Sequence, residues 1–162
     1  MTMTDTFNGA KNASTFLFAY LNTVAQDIGM ERAMALDAQM CQTMGAAWGQ
    51  SIKAQAGIGE ADARAAVSLA RAFMSEAIGI STEVVEESTE RAMLRVGRCP
   101  LYEAAQVLGM DNAATEALCR AGAIGYMDTM VKQFNPNLGY DLSQFRPSAD
   151  ASCIEVIAVE GR

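Results

Sequence analysis

The hydrophobic pattern of the chain changes near residue 80, and this change limits the folds that the sequence can adopt. Before it, apolar residues recur at helical spacing over residues 14–29, 31–55 and 60–78, with glycines at the breaks. The first helix is predicted to bury a stripe with an apolar residue every four positions: Phe16, Tyr20, Val24 and Ile28. A stripe in the second helix comprises Met34, Ala38, Cys41, Gly45, Trp48 and Ile52. Residues 1–80 are therefore predicted to form a helical half.

Beyond residue 80, apolar and polar residues alternate in segments that are typical of strands. The segments "STEVVEE" and "ERAMLRVGR" predict a β-hairpin that turns near residues 88–89. Two helices over residues 100–108 and 112–133 follow, and then two strand-like segments at 138–145 and 152–160. We therefore predict a single α+β domain over residues 1–162. Its N-terminal helices would pack with a mainly antiparallel four-stranded sheet and two further helices.

The charge and the polar start of the chain exclude several classes of partner. The 162 residues carry a net charge of -7 and contain no run of lysine or arginine, so nucleic acid is not an expected partner. No stretch approaches the roughly 18 consecutive apolar residues of a membrane span, and the first residues lack the pattern of a secretory signal. We therefore predict a cytoplasmic protein without membrane contact, in which the four cysteines are reduced.

The chain contains no histidine, and this absence limits its chemistry. Catalytic triads built on imidazole are excluded, and so are histidine metal sites and histidine proton shuttles. Acid and base roles must therefore fall to Asp, Glu, Cys, Tyr or Lys, or to a metal-bound water.

The stretch "GRCPLYEAAQVLG" places Cys99 directly before a helix. Pro100 suits the first helical position, so Cys99 is predicted to be the N-cap residue. The partial positive charge of the helix end favours a thiolate and would lower the pKa of Cys99. This environment suits a nucleophile or a metal ligand. The alternative is a small buried residue at a tight strand-to-helix junction.

The other cysteines lie in different sequence surroundings. Cys119 follows Glu116 by three residues, so both lie on one face of the long helix. They are either half of a metal site or a packed cysteine beside a surface carboxylate. Cys153 begins the last predicted strand and meets the other two only if the sheet lies beside both helix starts. Cys41 lies within an apolar stripe and is predicted to be a core residue.

A resemblance to a known family rests on three of these cysteines and their surroundings. The segments "GRCPLYEAAQVLGM", "EALC" and "FNPNL", followed by a late cysteine that enters a terminal strand, resemble the family named for L-2-amino-thiazoline-4-carboxylic acid hydrolase. More distantly, the chain is similar to small-molecule-binding domains named for vinyl reductase. The resemblance covers about residues 82–160, whereas the first eighty residues match only as a helical region.

The resemblance implies a hydrolase that opens a small cyclic amidine or thiazoline bearing a carboxylate. Cys99 is the expected nucleophile, in a catalytic site with Cys119 and Cys153. Glu116 or Glu103 would carry the proton. Three side chains are expected to bind the substrate: Arg98 and Arg120, which would hold its carboxylate, and Tyr126.

The resemblance also implies an alternative without catalysis. Vinyl-reductase-type domains hold zinc with cysteines and the acidic residue of a Glu-x-x-Cys pair, and four residues here match such a tetrahedral set: Cys99, Glu116, Cys119 and Cys153. The protein would then be a small-molecule-binding or sensor domain with a structural metal site. A third alternative is a family member that keeps the fold without the activity. The apolar, alanine-rich helical half is compatible with a homodimer.

Overall fold

Two long helices open the fold in the computed structural model, which describes residues 2–160. Helix α1 spans Met3–Ile28 and α2 spans Met30–Ala56. Helix α1 begins well before the predicted residue 14, because Thr2 and Asp5 form a reciprocal capping box at its start. The single residue between the helices is Gly29, whose φ of 83° favours glycine.

The predicted buried stripe of α1 is wrong. Phe16 is 76% exposed, and Tyr20 and Ile28 are exposed as well. Helix α1 instead buries Phe7, Phe18 and Leu21. In the predicted stripe of α2, Gly45 is buried as expected, whereas Trp48 is exposed. The buried residues of α2 are separated by four or eight positions: Ala33, Asp37, Gly45 and Gly49. Both long helices therefore present large apolar side chains to solvent.

The remaining elements form close to their predicted bounds. Helix α3 (Ala63–Phe73) ends in a π-helical turn over Met74–Ile78, and the hairpin consists of β1 (Thr82–Glu87) and β2 (Arg91–Val96). Helix α4 spans Pro100–Val107. The long predicted helix consists of α5 (Asn112–Leu118), a second π-helical turn (Cys119–Ile124) and α6 (Gly125–Phe134). Strands β3 (Leu138–Gln144) and β4 (Cys153–Val159) complete the described chain.

The four strands form one sheet in the order β1-β2-β4-β3, and each neighbouring pair is antiparallel. This arrangement confirms the predicted α+β fold. The alternation predicted for the last strand is also confirmed, because Cys153, Glu155 and Ile157 are buried. Helices α3 and α6 supply much of the core packed with this sheet, including Val67, Met130 and Phe134.

Helix α2 packs very closely on α6. A Cβ atom built on Gly45 would lie 2.2 Å from the carbonyl oxygen of Tyr126, and one on Gly49 would lie 2.5 Å from that of Met130. The absence of side chains at these two positions therefore sets the distance between the helices, as the small residues of this segment predict.

No helix among the described residues is long and apolar enough to cross a membrane.

Candidate functional site

A cavity of about 400 Å³ lies between the helices and the sheet. Its wall is largely apolar and receives residues from α1, α2, α4, α5, β4 and both π-helical turns. Within residues 2–160, three charged side chains contribute to the wall: Asp37, Arg146 and Glu155. Turns of π-helix inside α-helices occur frequently at functional sites, because the extra residue redirects the side chains around it. The cavity is therefore the candidate functional site.

All four cysteines line this cavity. Cys99 is the N-cap residue of α4, as predicted, with Pro100 at the first helical position. Cys153 lies opposite Val96 in the β2–β4 ladder, and Val96 precedes Cys99 by three residues. Cys119 begins the second π-helical turn, and the neighbouring Cys99 and Cys153 both contribute to raising its pKa. The sheet register thus brings together the three cysteines that the sequence analysis grouped.

Burial favours the protonated form of two thiols of the cavity, those of Cys99 and Cys119. Burial raises the pKa of Cys99 from 9.0 to about 11. The backbone amides of Tyr102 and Leu101 and the charge of Arg146 act in the opposite direction and do not outweigh burial. The lowering expected from the helix N-terminus is therefore not the net effect. Burial also raises the pKa of Cys119 well above its ordinary value.

Arg146 is the centre of a buried polar cluster at the cavity wall, and only 1% of its surface is exposed. Its Nε donates to Cys153 Sγ at 3.4 Å, and its Nη2 donates to the carbonyl oxygen of Val96 at 3.2 Å and to that of Gly97. The guanidinium carbon also lies 5.4 Å from the centre of the Tyr102 ring. These contacts fix a cation in the largely apolar wall of the cavity.

Glu155 is a second buried ionisable group near these thiols. It follows Cys153 on the same face of β4 and accepts a hydrogen bond from the Tyr140 hydroxyl. Burial raises the pKa of Glu155, while the Tyr140 hydrogen bond and the charge of Arg146 act in the opposite direction. Because of this raised pKa, the side chain of Glu155 favours its neutral form more than the side chain of an exposed glutamate does.

Arg98 and Glu103 do not line the cavity. Arg98 is exposed, forms an ion pair with Glu103 and lies with its guanidinium carbon 4.4 Å from the centre of the Phe7 ring. Lys11 also pairs with Glu103, at 3.1 Å. These contacts link α4 to α1, so the predicted substrate-binding role of Arg98 and proton-carrying role of Glu103 have no geometric support.

Arg120 and Glu116 also lie outside the cavity wall. They form an ion pair at 2.8 Å one helical turn apart. Arg120 Nη1 also donates to the carbonyl oxygen of Leu142 at 3.0 Å, which links the helix to β3. The predicted roles of Arg120 in substrate binding and of Glu116 in proton transfer therefore lack support, because both side chains stabilise the outer surface.

The predicted zinc set does not fit the observed geometry. Across residues 2–160, no group of three or more cysteine or carboxylate side chains could hold a metal ion. Glu116 pairs with Arg120 instead of joining Cys99, Cys119 and Cys153, and Cys153 accepts a hydrogen bond from the cation Arg146. A neighbouring guanidinium opposes a divalent metal at the same sulfur.

Tyr126 does line the cavity, as its predicted role in substrate binding requires. Its ring stacks on the ring of Phe73, with the ring centres 5.6 Å apart, and the ring centres of Phe73 and Trp48 are 6.2 Å apart. The sequence analysis did not select Arg146, Glu155 or Asp37. For Glu155 a signal existed, because the alternation of β4 placed it on the face of Cys153.

The sequence pattern of the L-2-amino-thiazoline-4-carboxylic acid hydrolase family matches residues 9–144. The chain belongs to this family. The match includes the helical half, which the sequence analysis left outside the resemblance, and it ends before Cys153. No curated protein matches the chain with significant similarity.

Two solved structures share the fold of this family member. One is the phenol-responsive sensory domain of the transcription activator PoxR with phenol, with a TM-score of 0.68 and 14% identity over 90% of this chain and 74% of that chain. The other is subunit 3 of a trafficking protein particle complex from Naegleria fowleri, covalently bound to palmitic acid. It has a TM-score of 0.61 and 8% identity over 94% of this chain and 95% of that chain. At these identities the likeness concerns the fold alone.

Proposed function

We propose that this protein binds a small, mainly apolar molecule in the cysteine-lined cavity. The observation that carries the proposal is an interior space of about 400 Å³ with a largely apolar wall and a few buried polar groups. This size and composition are typical of ligand pockets, which hold about 300–1,000 Å³. The phenol of the PoxR sensory domain and the palmitic acid of the trafficking subunit are ligands of this general character on the same fold.

Filling the cavity tests this proposal. Ala123 lines the cavity, so Ala123→Phe should remove ligand binding. Ala117 is exposed and outside the wall, so Ala117→Phe is the matched control and should keep it. The measurement is mass spectrometry of small molecules that co-purify with each variant, followed by calorimetry with phenol and palmitate. Equal binding by both variants would show that the cavity is not the site.

Family membership favours a second candidate function, hydrolysis of a cyclic amidine or thiazoline carboxylate in the same cavity. Cys99, after giving its proton to a base, would attack the ring carbon, and the ring C–N bond would break as the leaving nitrogen takes that proton. Water would then hydrolyse the bond between this carbon and Cys99 Sγ and restore the thiol. Glu155 is the better candidate base than Glu116 or Glu103, because it lies near enough to Cys99 to influence its pKa. Arg146 would hold the substrate carboxylate, since it is the cation that lines the cavity within the described chain.

Turnover of 2-amino-thiazoline-4-carboxylate tests the second candidate. Cys99→Ser should abolish ring opening, and Cys41→Ser, at another cysteine of the same wall, should retain it. Ring opening that persists in Cys99→Ser would remove Cys99 from the mechanism. Binding of the compound without turnover by the unmodified protein would favour the non-catalytic function.

We also propose that a second copy of the chain covers the exposed apolar face of α1 and α2. We use this term for the exposed apolar residues spaced four apart on each helix, which are Phe16 and Tyr20 on α1 and Leu36, Met40, Met44 and Trp48 on α2. Soluble monomers rarely expose large apolar patches, and a two-fold dimer buries the same patch from both copies. Trp48 also lines the cavity, so the partner would cover one side of the ligand site.

A further inference from the structure

Asp37 is a buried carboxylate that has no cationic partner among the described residues. It lies in the middle of α2, is 5% exposed and lines the cavity. Among the described residues, the Asp37 side chain accepts one hydrogen bond, which Cys41 Sγ donates to Oδ1 across 4.0 Å. A thiol is a weak donor, so this contact satisfies little of the acceptor capacity of a carboxylate. Asp37 therefore retains a strong acceptor at the cavity wall.

The second π-helical turn leaves room beside this carboxylate. A Cβ atom on Gly122 would lie 2.8 Å from Asp37 Oδ2, a distance at which the side chain would have to move. Gly122 also lines the cavity. Because residue 122 is a glycine, no side chain at this position displaces the Asp37 carboxylate from the cavity wall.

Aromatic rings line the same cavity. Tyr126 stacks on Phe73, which contacts Trp48. Tyr126 is near this part of α2, because a Cβ atom built on Gly45, two turns from Asp37, would clash with the backbone carbonyl of Tyr126. Buried aromatic rings pack well against the ring of an aromatic ligand. The rings of this wall therefore favour an aromatic body, and the Asp37 carboxylate favours a cationic group on it.

The protein supplies no cation that neutralises Asp37 within residues 2–160. Burial raises the pKa of Asp37, and no neighbouring positive charge acts against it. Arg146, the cation of the wall, donates to two backbone carbonyls and to Cys153. A buried charge is costly unless it is paired, so a ligand that brings the missing charge gains affinity.

We propose that the ligand of this cavity carries a protonated amine on an apolar, aromatic body, and that Asp37 binds its ammonium group. The inference rests on the proposed ligand-binding function and names the chemical class of the ligand. It assigns Asp37 as the residue that determines specificity.

Four probes with the same phenylethyl body or a close analogue of it test the inference by calorimetry at pH 7. They are 2-phenylethylamine, the alcohol 2-phenylethanol, the apolar propylbenzene and the anion phenylacetate. We expect the amine to bind at least about tenfold more tightly than propylbenzene, as for a hydrogen bond to a charged group. Asp37→Asn should lose this advantage and keep its affinity for propylbenzene. The matched control is Asp27→Asn at an exposed carboxyl of α1 outside the wall, which should keep the preference for the amine.

The unmodified protein alone decides the outcome if Asp37→Asn does not fold. Equal affinities for the amine and propylbenzene would overturn the inference and leave the binding function intact. Equal affinities for the amine and the alcohol would also overturn it, because Asp37 would then accept from any donor. Binding of none of the four probes, together with no co-purified molecule, would overturn both the inference and the binding function.

Discussion

Arg146 Nε donates a hydrogen bond to Cys153 Sγ across 3.4 Å, inside the wall of the cavity. The pair joins the segment that follows β3 to the first residue of β4. Because Cys153 lies opposite Val96, whose carbonyl also accepts from Arg146, one guanidinium connects three parts of the chain. Arg146 therefore has a structural role in addition to its place in the cavity wall.

Replacing Arg146 should destabilise the fold. Arg146→Met removes the donors to the carbonyls of Val96 and Gly97 and leaves these buried acceptors unpaired, which should cost about 3 kcal/mol in the free energy of unfolding. Arg95→Met is the control, because Arg95 is exposed and pairs with the exposed Glu83, and its loss should cost less than about 1 kcal/mol. Urea unfolding measures both. Equal effects would contradict the structural role.

The raised pKa of Cys99 predicts a loss of stability at alkaline pH. The folded state holds the thiol protonated up to about pH 11, whereas its ordinary pKa is 9.0. The stabilisation is therefore complete below pH 9 and is lost as the pH rises toward 11. It amounts to about 3 kcal/mol, from a shift of roughly two units.

Comparison with Cys99→Ala isolates this effect from that of the other buried thiols and tyrosines. The free energy of unfolding, measured in urea at intervals from pH 8 to pH 11, should fall more steeply in the unmodified protein than in the variant. Parallel curves would contradict the prediction, because they would mean that folding does not change the pKa of Cys99. Slow alkylation of Cys99 at pH 7 is a second expected result, because the thiolate is the reactive form.

Local periodicity predicted most elements but not the face that each helix buries. The alternation around Leu94 is strict, so β2 and the face that it buries follow from the sequence. Strand β4 carries apolar residues on both faces, so the sequence predicts which residues share a face but not that the face of Ile157 is the buried one. Helix α1 carries aromatic side chains on two sides, such as Phe16 and Phe18, and the pattern does not say which side meets a neighbour. Phe18 is the buried one because it packs against α4 and α2, and this selection depends on tertiary contacts that the local sequence does not encode.

The cysteines of the site were predictable and its charged groups largely were not. Cys99 and Cys119 stand out in the sequence because of the helix starts and motifs around them. Their meeting with Cys153 depends on the register of β4 against β2, which no local pattern fixes. Arg146 follows β3 in a segment without periodicity, so no signal distinguished it from the exposed Arg98 and Arg120.

The contact between α2 and α6 should tolerate no side chain at Gly45. Gly45→Ala would place a methyl group 2.2 Å from the backbone of Tyr126, and separation of the helices should cost about 3 kcal/mol or more. Gly9→Ala in α1 is the matched control, because nothing lies within 4 Å of the added methyl. It should stabilise the protein by about 0.5–1 kcal/mol, as alanine does within a helix. Thermal unfolding of both variants should therefore shift in opposite directions, and a harmless Gly45→Ala would contradict the observed helix spacing.

The exposed apolar face of α1 and α2 predicts a dimer that a single charge disrupts. Met44 is 47% exposed in the middle of the α2 part of this face, so Met44→Glu should place a carboxylate in the interface of each copy. Val107→Glu is the control, because Val107 is 61% exposed on α4, outside this face. Light scattering coupled to gel filtration should give twice the 17.3 kDa of one chain for the unmodified protein and for Val107→Glu, and one chain for Met44→Glu.

Both substitutions exchange an exposed apolar residue for glutamate, so a general effect of added charge would change them equally. A difference between them therefore locates the interface, because only Met44 belongs to the face defined above. Fluorescence of Trp48, the single tryptophan of the chain, provides a second readout, since burial by the partner should shift its emission to shorter wavelengths in the dimer. A mass of one chain for the unmodified protein at micromolar concentration would contradict the dimer. In that case no second copy of the chain would cover the side of the cavity that Trp48 lines.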